Sequence, residues 1–386
     1  MHYRNVGQTG LSASVIGIGL ERVDTKPLEK VEEVIHCALD HGVNIMDMFM
    51  PGQEIRGNIG KALTGRRDKV LLQGAIGSVD LNLQYDISRD LDICKRYFEE
   101  MLRCLKTDYI DFGMLFYLDT HEAIDEMIHN GVVEYARQLK REGKIRAIGA
   151  SLHNPETGLR LVNENMVDMM MFSINPAFDM MTGAAISPEE LLDDQFADRA
   201  VSVDPRRAEL YRLCQNRGVG ITVMKSLAAG KLLSADHSPF SQAMTPAQCI
   251  HYALNRPAVA SVLVGCESRG QVEEAVRYLD LSDEERDYSQ VINRFRDDGK
   301  SGFAGSCVYC NHCLPCPAEI DVAAVNKLLD IASLDKNNIP AALVSQYQSL
   351  KSHGSDCLEC GSCEERCPFS VEVIEKMAGA AALFGR

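Results

Sequence analysis

Positive charge is what this 386-residue chain is short of: 40 Lys and Arg face 55 Asp and Glu, a formal net charge of −15. A phosphate footprint needs clustered cations, and no basic stripe appears, so nucleic acid and anionic membrane surfaces are excluded as partners. Long apolar runs are missing as well. No stretch approaches about 18 consecutive apolar residues, so no membrane-spanning helix is expected. The N-terminal MHYRNVGQTG has no apolar core of the kind an export signal needs. The chain is therefore expected in the cytoplasm, with no membrane and no nucleic-acid partner. Internal repeats and low-complexity tracts are also absent.

What is present is 46% apolar residues, enough for a packed core, and a length suited to one large domain plus a small one. There are also 14 cysteines. Six of them (Cys37, Cys94, Cys104, Cys214, Cys249 and Cys266) are scattered singly and read as reduced thiols of a reducing compartment. The other eight fall in two bursts: Cys307, Cys310, Cys313 and Cys316 before Pro317, then Cys357, Cys360, Cys363 and Cys367 before Pro368. Thiolates at this spacing can bind different irons of one cube, and a cysteine followed by proline is the usual fourth ligand, given to the other cube in two-cluster ferredoxins. Eight thiolates fit two [4Fe–4S] clusters. A pair of four-cysteine zinc sites shares the CxxC spacing, but zinc needs neither the third cysteine of each burst nor the Cys-Pro endings. The first burst has two residues, Leu314 and Pro315, before its last cysteine where three are common.

The chain ahead of these bursts alternates strand and helix signals. Residues 3–19 read as a hairpin turning at Gln8-Thr9-Gly10 and a buried strand ending at Gly19. Strands follow at 43–47, 69–76, 109–116, 145–151, 169–174, 220–225 and 261–264. Between and after them come helices at 28–39, 54–63, 91–105, 123–141, 155–163, 205–216, 246–254 and 269–279. An acidic insertion spans 179–204. Eight strands each followed by a helix predict a closed (β/α)8 TIM barrel over 1–296, because parallel strands need crossover helices on the outside. A helix over 284–296 and a linker at 299–302 lead to a small helical two-cluster, ferredoxin-like domain over 297–386, with helices at 322–331 and 341–350. Thr245 to Gln248, Ser187 to Glu190 and Ser268 to Gln271 read as helix-capping boxes.

The motifs YRNVGQTGLSASVIGIGL, GVNIMD, IGKAL, LKTDYID, KREGKIRAIGASLHNPE and VLVGCESRGQVEEA resemble, in order and spacing, the aldo/keto reductases. The tail resembles the branch with a C-terminal ferredoxin-like extension. The resemblance implies a barrel that binds NADP(H) and reduces carbonyls with Asp, Tyr, Lys and His. Residue by residue, the Asp is Asp47, whereas the Tyr falls on Gly52, the Lys on Ala75 and the His on Phe116. General acid catalysis is worth roughly 10²–10⁴ in rate, about 3–5 kcal/mol of barrier, so ordinary carbonyl reduction is not expected. Asp47 without a lysine should be neutralised or paired otherwise, with Lys225 as one partner, or it caps the following loop. His153 is a replacement acid or a hydrogen-bonded loop residue. Tyr117 and Tyr85 are further phenols.

For the nucleotide, Ser151 and Asn175 match positions that touch the cofactor carboxamide, while Met171 stands where a glutamine is usual. Gly265, Ser268, Arg269, Gln271 and Glu274 fit the loop that holds the adenine-side phosphate, a helix N-terminus with an arginine. The function expected is an oxidoreductase whose two clusters relay electrons to or from a small-molecule substrate, NADP(H) or a flavin at the barrel mouth. Met46, Met48, Phe49, Met50 and Met171 line that mouth or are core. The alternative is a non-catalytic electron-transfer or assembly subunit that presents clusters to a redox partner protein.

Overall fold

Val6, Leu11 and Ala13 are buried in the same apolar cluster as the barrel interior, and that burial determines what the N-terminal hairpin does. Strands β1 (Tyr3–Asn5) and β2 (Ser12–Ser14) pair antiparallel. Their turn includes Gly7 at φ +54°, where a Cβ would meet the Gly218 carbonyl at 2.2 Å. Only glycine lets the hairpin come this close and stop the amino end of the barrel. This is a computed structural model of the whole chain. It describes all residues except 82–83, 181–203, 237, 239, 241, 289–290, 292–306, 308–312, 334–335, 338, 340, 368–369 and 386.

The barrel strands are β3 (Ile16–Gly19), β4 (Ile45–Met48), β5 (Leu71–Ile76), β8 (Ile110–Leu115), β9 (Ile145–Leu152), β10 (Met169–Ser173), β11 (Gly220–Met224) and β12 (Val259–Gly265). They close in that order, all parallel, with β12 hydrogen-bonded to β3. A two-stranded sheet, β6 (Ser78–Leu81) with β7 (Gln84–Ile87), interrupts the run between β5 and β8. The register aligns Asp47 with Gln73, Gln73 with Phe112, and Phe112 with Ala147. Aligned residues share a face, so Asp47 and Gln73 point into the barrel with Phe112 and Ala147 of its core. Met46 and Met48 alternate with Asp47 and face the surrounding helices. Both are fully buried, so they are core.

The predicted helix over 123–141 is two helices, His121–His129 and Val132–Arg141. Gly131 between them has φ +81°, a left-handed residue that ends a helix, and Asn130 Nδ2 donates to the Arg89 carbonyl at 3.0 Å. Of the predicted helix 284–296, Asp283–Arg286 is helical and residues 292–296 lie outside the described residues. The linker 299–302 and the Ser187 capping box also lie outside them.

The chain forms two compact units, Met1–Asp80 with Ile87–Gly299, and Leu81–Asp86 with Lys300–Arg386. In the second, helices Val322–Ala332, Ala341–Gln348 and Val373–Phe384 supply most of the regular structure. Tyr347 stacks on Phe384 with centroids 4.2 Å apart, and its hydroxyl accepts the Gly354 N–H at 2.8 Å. The helix Val373–Phe384 is an addition to the elements read from the sequence. Its buried residues Val373, Met377, Ala380 and Phe384 recur at helical period.

Candidate functional site at the carboxyl ends of the strands

Asp47 sits at the end of β4 with 7% of its surface exposed. Gln73 Nε2 donates to its Oδ1 at 3.2 Å and to Met171 Sδ at 3.4 Å. Burial pushes the Asp47 carboxyl up to about 7; the Gln73 bond opposes this and the charge of Glu21 reinforces it. Lys225, the partner considered from the sequence, is not among the groups that shape Asp47. It follows β11 in a left-handed conformation at φ 60°, and its charge acts on Glu21, Asp119 and His153.

His153 follows β9 and is bound to Asp119, which lies beyond β8. The Asp119 carboxylate takes His153 Nδ1 at 2.8 Å and the His153 backbone N–H. Burial raises the Asp119 carboxyl, but the charge and hydrogen bonds of His153 outweigh this and hold it below the usual range. Burial holds the His153 imidazole down, helped by Lys225 and opposed by Asp119. The pair therefore rests at neutral pH as an anion beside a neutral imidazole, with its tautomer set by Asp119. Asp119, Gln73 and Glu21 are members of this group that sequence reasoning missed. Their positions carry no motif signal, since only the barrel closure brings residues on or beyond six different strands together.

Phe116, at the histidine position, stacks on Phe49 at 5.8 Å with 14° between planes. Ala75, at the lysine position, is buried. Tyr117 lies 5.8 Å from the His153 ring, centroid to centroid, and Tyr85 is on β7. Ser151 Oγ accepts the Tyr117 N–H at 3.0 Å. Asn175 is fully buried; its Nδ2 donates to the Lys225 carbonyl at 2.9 Å and its Oδ1 accepts the Phe178 N–H at 2.9 Å.

At the loop expected to hold a phosphate, Gly265 ends β12 and Ser268 caps the helix Arg269–Arg277 by accepting the Gln271 N–H at 3.4 Å. Gln271 Oε1 accepts from Glu267 N, one residue short of a closed capping box. Arg269 Nε pairs with Glu273 at 2.7 Å, and Glu274 with Arg277 at 3.8 Å. The Arg269 backbone N–H is taken by Glu33 Oε1 at 3.1 Å. A carboxylate of the chain thus stands where a phosphate would bind.

In the second unit Cys316, Cys357, Cys360 and Cys363 line one cavity, with Ile320 and Met377 among its apolar walls. Burial pushes the Cys363 thiol up to about 11, and Glu364, Cys357 and Cys316 add to the rise. Among the described residues no three His, Cys, Asp or Glu side chains are gathered closely enough to hold a single metal ion. Cys310 lies outside the described residues, whereas Cys307, Cys313 and Cys367 are within them. Nor is any helix among the described residues long and apolar enough to cross a membrane.

A closed parallel barrel with a buried acid, an imidazole and a lysine at its carboxyl mouth is a (β/α)8 barrel with its site in the usual place for that architecture. The sequence model of the aldo/keto reductase family matches residues 15–244. The chain belongs to the aldo/keto reductase family, a family of oxidoreductases. It is 22% identical over 317 residues to an Arabidopsis thaliana protein, "Probable voltage-gated potassium channel subunit beta", covering 73% of this chain and 92% of that one. It is 27% identical over 302 residues to the Bacillus subtilis "Uncharacterized oxidoreductase YqkF", covering 72% and 90%. The solved structure of the aldo-keto reductase AKR11C1 from Bacillus halodurans, in its holo form, superposes with a TM-score of 0.60. It is 23% identical and covers 77% of this chain and 99% of that one.

Proposed function

We propose that this protein is an iron–sulfur oxidoreductase built on an aldo/keto reductase barrel. Two [4Fe–4S] clusters would supply one-electron transfer to or from a small molecule, NADP(H) or a flavin at the mouth. Cys316, Cys357, Cys360 and Cys363 would hold one cluster, and Cys307, Cys310, Cys313 and Cys367 the other. The observation that carries this reading is that the Cys-Pro cysteine of the first burst shares a cavity with three cysteines of the second. This arrangement supports the exchange of fourth ligands expected from the spacing.

At the mouth, Asp47 holds a proton near neutral pH, His153 accepts or returns one under the control of Asp119, and Lys225 steadies the carboxylates around it. Ser151, Asn175 and the Gly265 to Glu274 loop would hold a nicotinamide nucleotide, once Glu33 gives up the Arg269 N–H. Phe116 and Ala75 remove the usual proton donor's partners, which turns the site away from simple ketone reduction. Protein purified without oxygen is expected to contain iron and sulfide, and NADPH is expected to bleach its visible absorbance. Iron without any response to NADPH would remove the nicotinamide part, and absence of iron would remove the whole reading. The non-catalytic reading draws on the relative whose name describes a channel subunit; copurification with a redox partner and no turnover alone would favour it.

A further inference from the structure

We infer that Gln73 is a positioning residue that makes Asp47 a reversible proton donor at the barrel mouth. Gln73 has no exposed surface, and its Oε1 has no hydrogen-bond partner among the described residues. An orphaned carbonyl oxygen in a barrel interior is costly, and Asp47, already hydrogen-bonded to the same amide, can supply a donor for it. If Asp47 carries a proton, the carboxamide turned about its last torsion can accept the Asp47 O–H through Oε1. If Asp47 is ionised, the same carboxamide donates through Nε2, at 3.2 Å. The two orientations of an amide differ only in which atom faces the carboxyl. Gln73 can therefore satisfy Asp47 in both protonation states.

A lysine could not, because an ammonium group only donates and its charge would keep the carboxylate ionised. Around Asp47 no ion pair is formed among the described residues. Among the described residues the charged group that acts on it is Glu21, whose repulsion favours the protonated form. Lys225 acts on Glu21 and tempers that repulsion. Phe112 and Met171 beside Gln73 keep the surroundings apolar. Burial then leaves the carboxyl balanced near neutrality. In the reaction the Asp47 O–H bond breaks and the proton bonds to the substrate atom where negative charge develops. The carboxylate left behind takes the Gln73 N–H, and solvent returns a proton afterwards. The substrate's electrons come from a nicotinamide or iron–sulfur donor, and this part alone rests on the proposed function.

The test is infrared difference spectroscopy of the full chain with ¹³C-labelled aspartate carboxyls between pH 5 and 9, with the Asp47 band assigned by Asp47→Asn. The Asp47 acid band is expected to disappear with a midpoint near neutral pH. Gln73→Met, similar in shape but without the amide, is expected to raise that midpoint by about one pH unit, since both forms lose a hydrogen bond and the one lost by the ionised form is charge-assisted and the stronger. If Gln73→Met does not fold, Gln73→Asn, which withdraws the amide by one carbon, is read the same way. A wild-type midpoint in the ordinary carboxylate range, or one unmoved by the Gln73 variants, overturns the inference. A near-neutral midpoint in a protein that lacks iron and ignores NADPH keeps the inference and discards the redox reading.

Discussion

Arg207 Nε lies 2.6 Å from Asp179 Oδ1, with both side chains buried between helices of the barrel wall. Tyr211 donates to the same oxygen at 2.6 Å and Tyr252 to Oδ2 at 3.1 Å, while Arg207 also reaches the Ser173 carbonyl and lies over the Phe172 ring. Asp179 and Asp204 bracket the acidic insertion, and the Asp204 N–H donates to the Asp179 carbonyl at 2.6 Å. Breaking one side of such a pair leaves a buried charge without compensation, at a cost of about 3–5 kcal/mol. Asp179→Ala is expected to lower the urea-unfolding free energy by that order. Asp179→Ala combined with Arg207→Met is expected to recover most of it. Equal losses in the single and double variants would show that packing, and not charge, holds the insertion's ends.

The raised carboxyl of Asp47 has a consequence for stability. Its folded-state value of about 7 stands above the ordinary aspartate value of 3.8, so the folded state binds a proton more tightly than the unfolded state. Stability from this group therefore falls as pH rises from about 4 to about 7. The full difference is about 4 kcal/mol by linkage. Asp47→Asn is expected to match wild type near pH 4 and to be the more stable of the two at pH 8. Denaturant midpoints of both proteins at the two pH values decide this.

The shared cavity makes a prediction about which cysteines act together. Cys316→Ser and Cys360→Ser are expected each to remove about half of the iron, and the double variant no more than either alone. Cys316→Ser combined with Cys367→Ser is expected to remove nearly all of it, because one ligand is lost from each cluster. Iron analysis of anaerobically purified protein reads both. A zinc protein would instead bind zinc with no visible absorbance.

Glu33 on the Arg269 N–H predicts weak nucleotide binding that one substitution improves. Glu33→Gln removes a carboxylate whose ionised form Lys30 and the Arg269 backbone stabilise. It is expected to tighten NADPH binding about three- to tenfold at low salt, with the gain shrinking as salt is added. Fluorescence titration measures it. An unchanged affinity would mean that nucleotide phosphates do not approach this helix.

Much of the barrel is legible in the residues because local rules and the fold agree there. Strand β12 and the helices Leu91–Leu105 and Pro246–Leu254 follow from apolar period and end signals. The Thr245 box forms as read, with Thr245 Oγ1 accepting Gln248 N–H at 3.1 Å and Gln248 Oε1 accepting Thr245 N–H at 2.9 Å. The helix break at Gly131 escaped, because a single left-handed residue inside a continuous apolar period leaves the period intact. Met46 and Met48 could be read as mouth or core, and only the register with Asp47 shows that they face outward.

By itself the sequence determined the alternation of strand and helix, the pairing of Cys-Pro endings with cysteine triplets, and the absence of ionisable groups at Gly52, Ala75 and Phe116. These properties depend on residues close together in the chain. The tertiary structure decided what surrounds Asp47. Gln73 lies 26 residues away and Glu21 on another strand end, and neither carries a signature of function. Their effect on one carboxyl arises only when the closed sheet removes water from it and sets the two beside it, since a hydrogen bond or a charge acts through space and not along the chain.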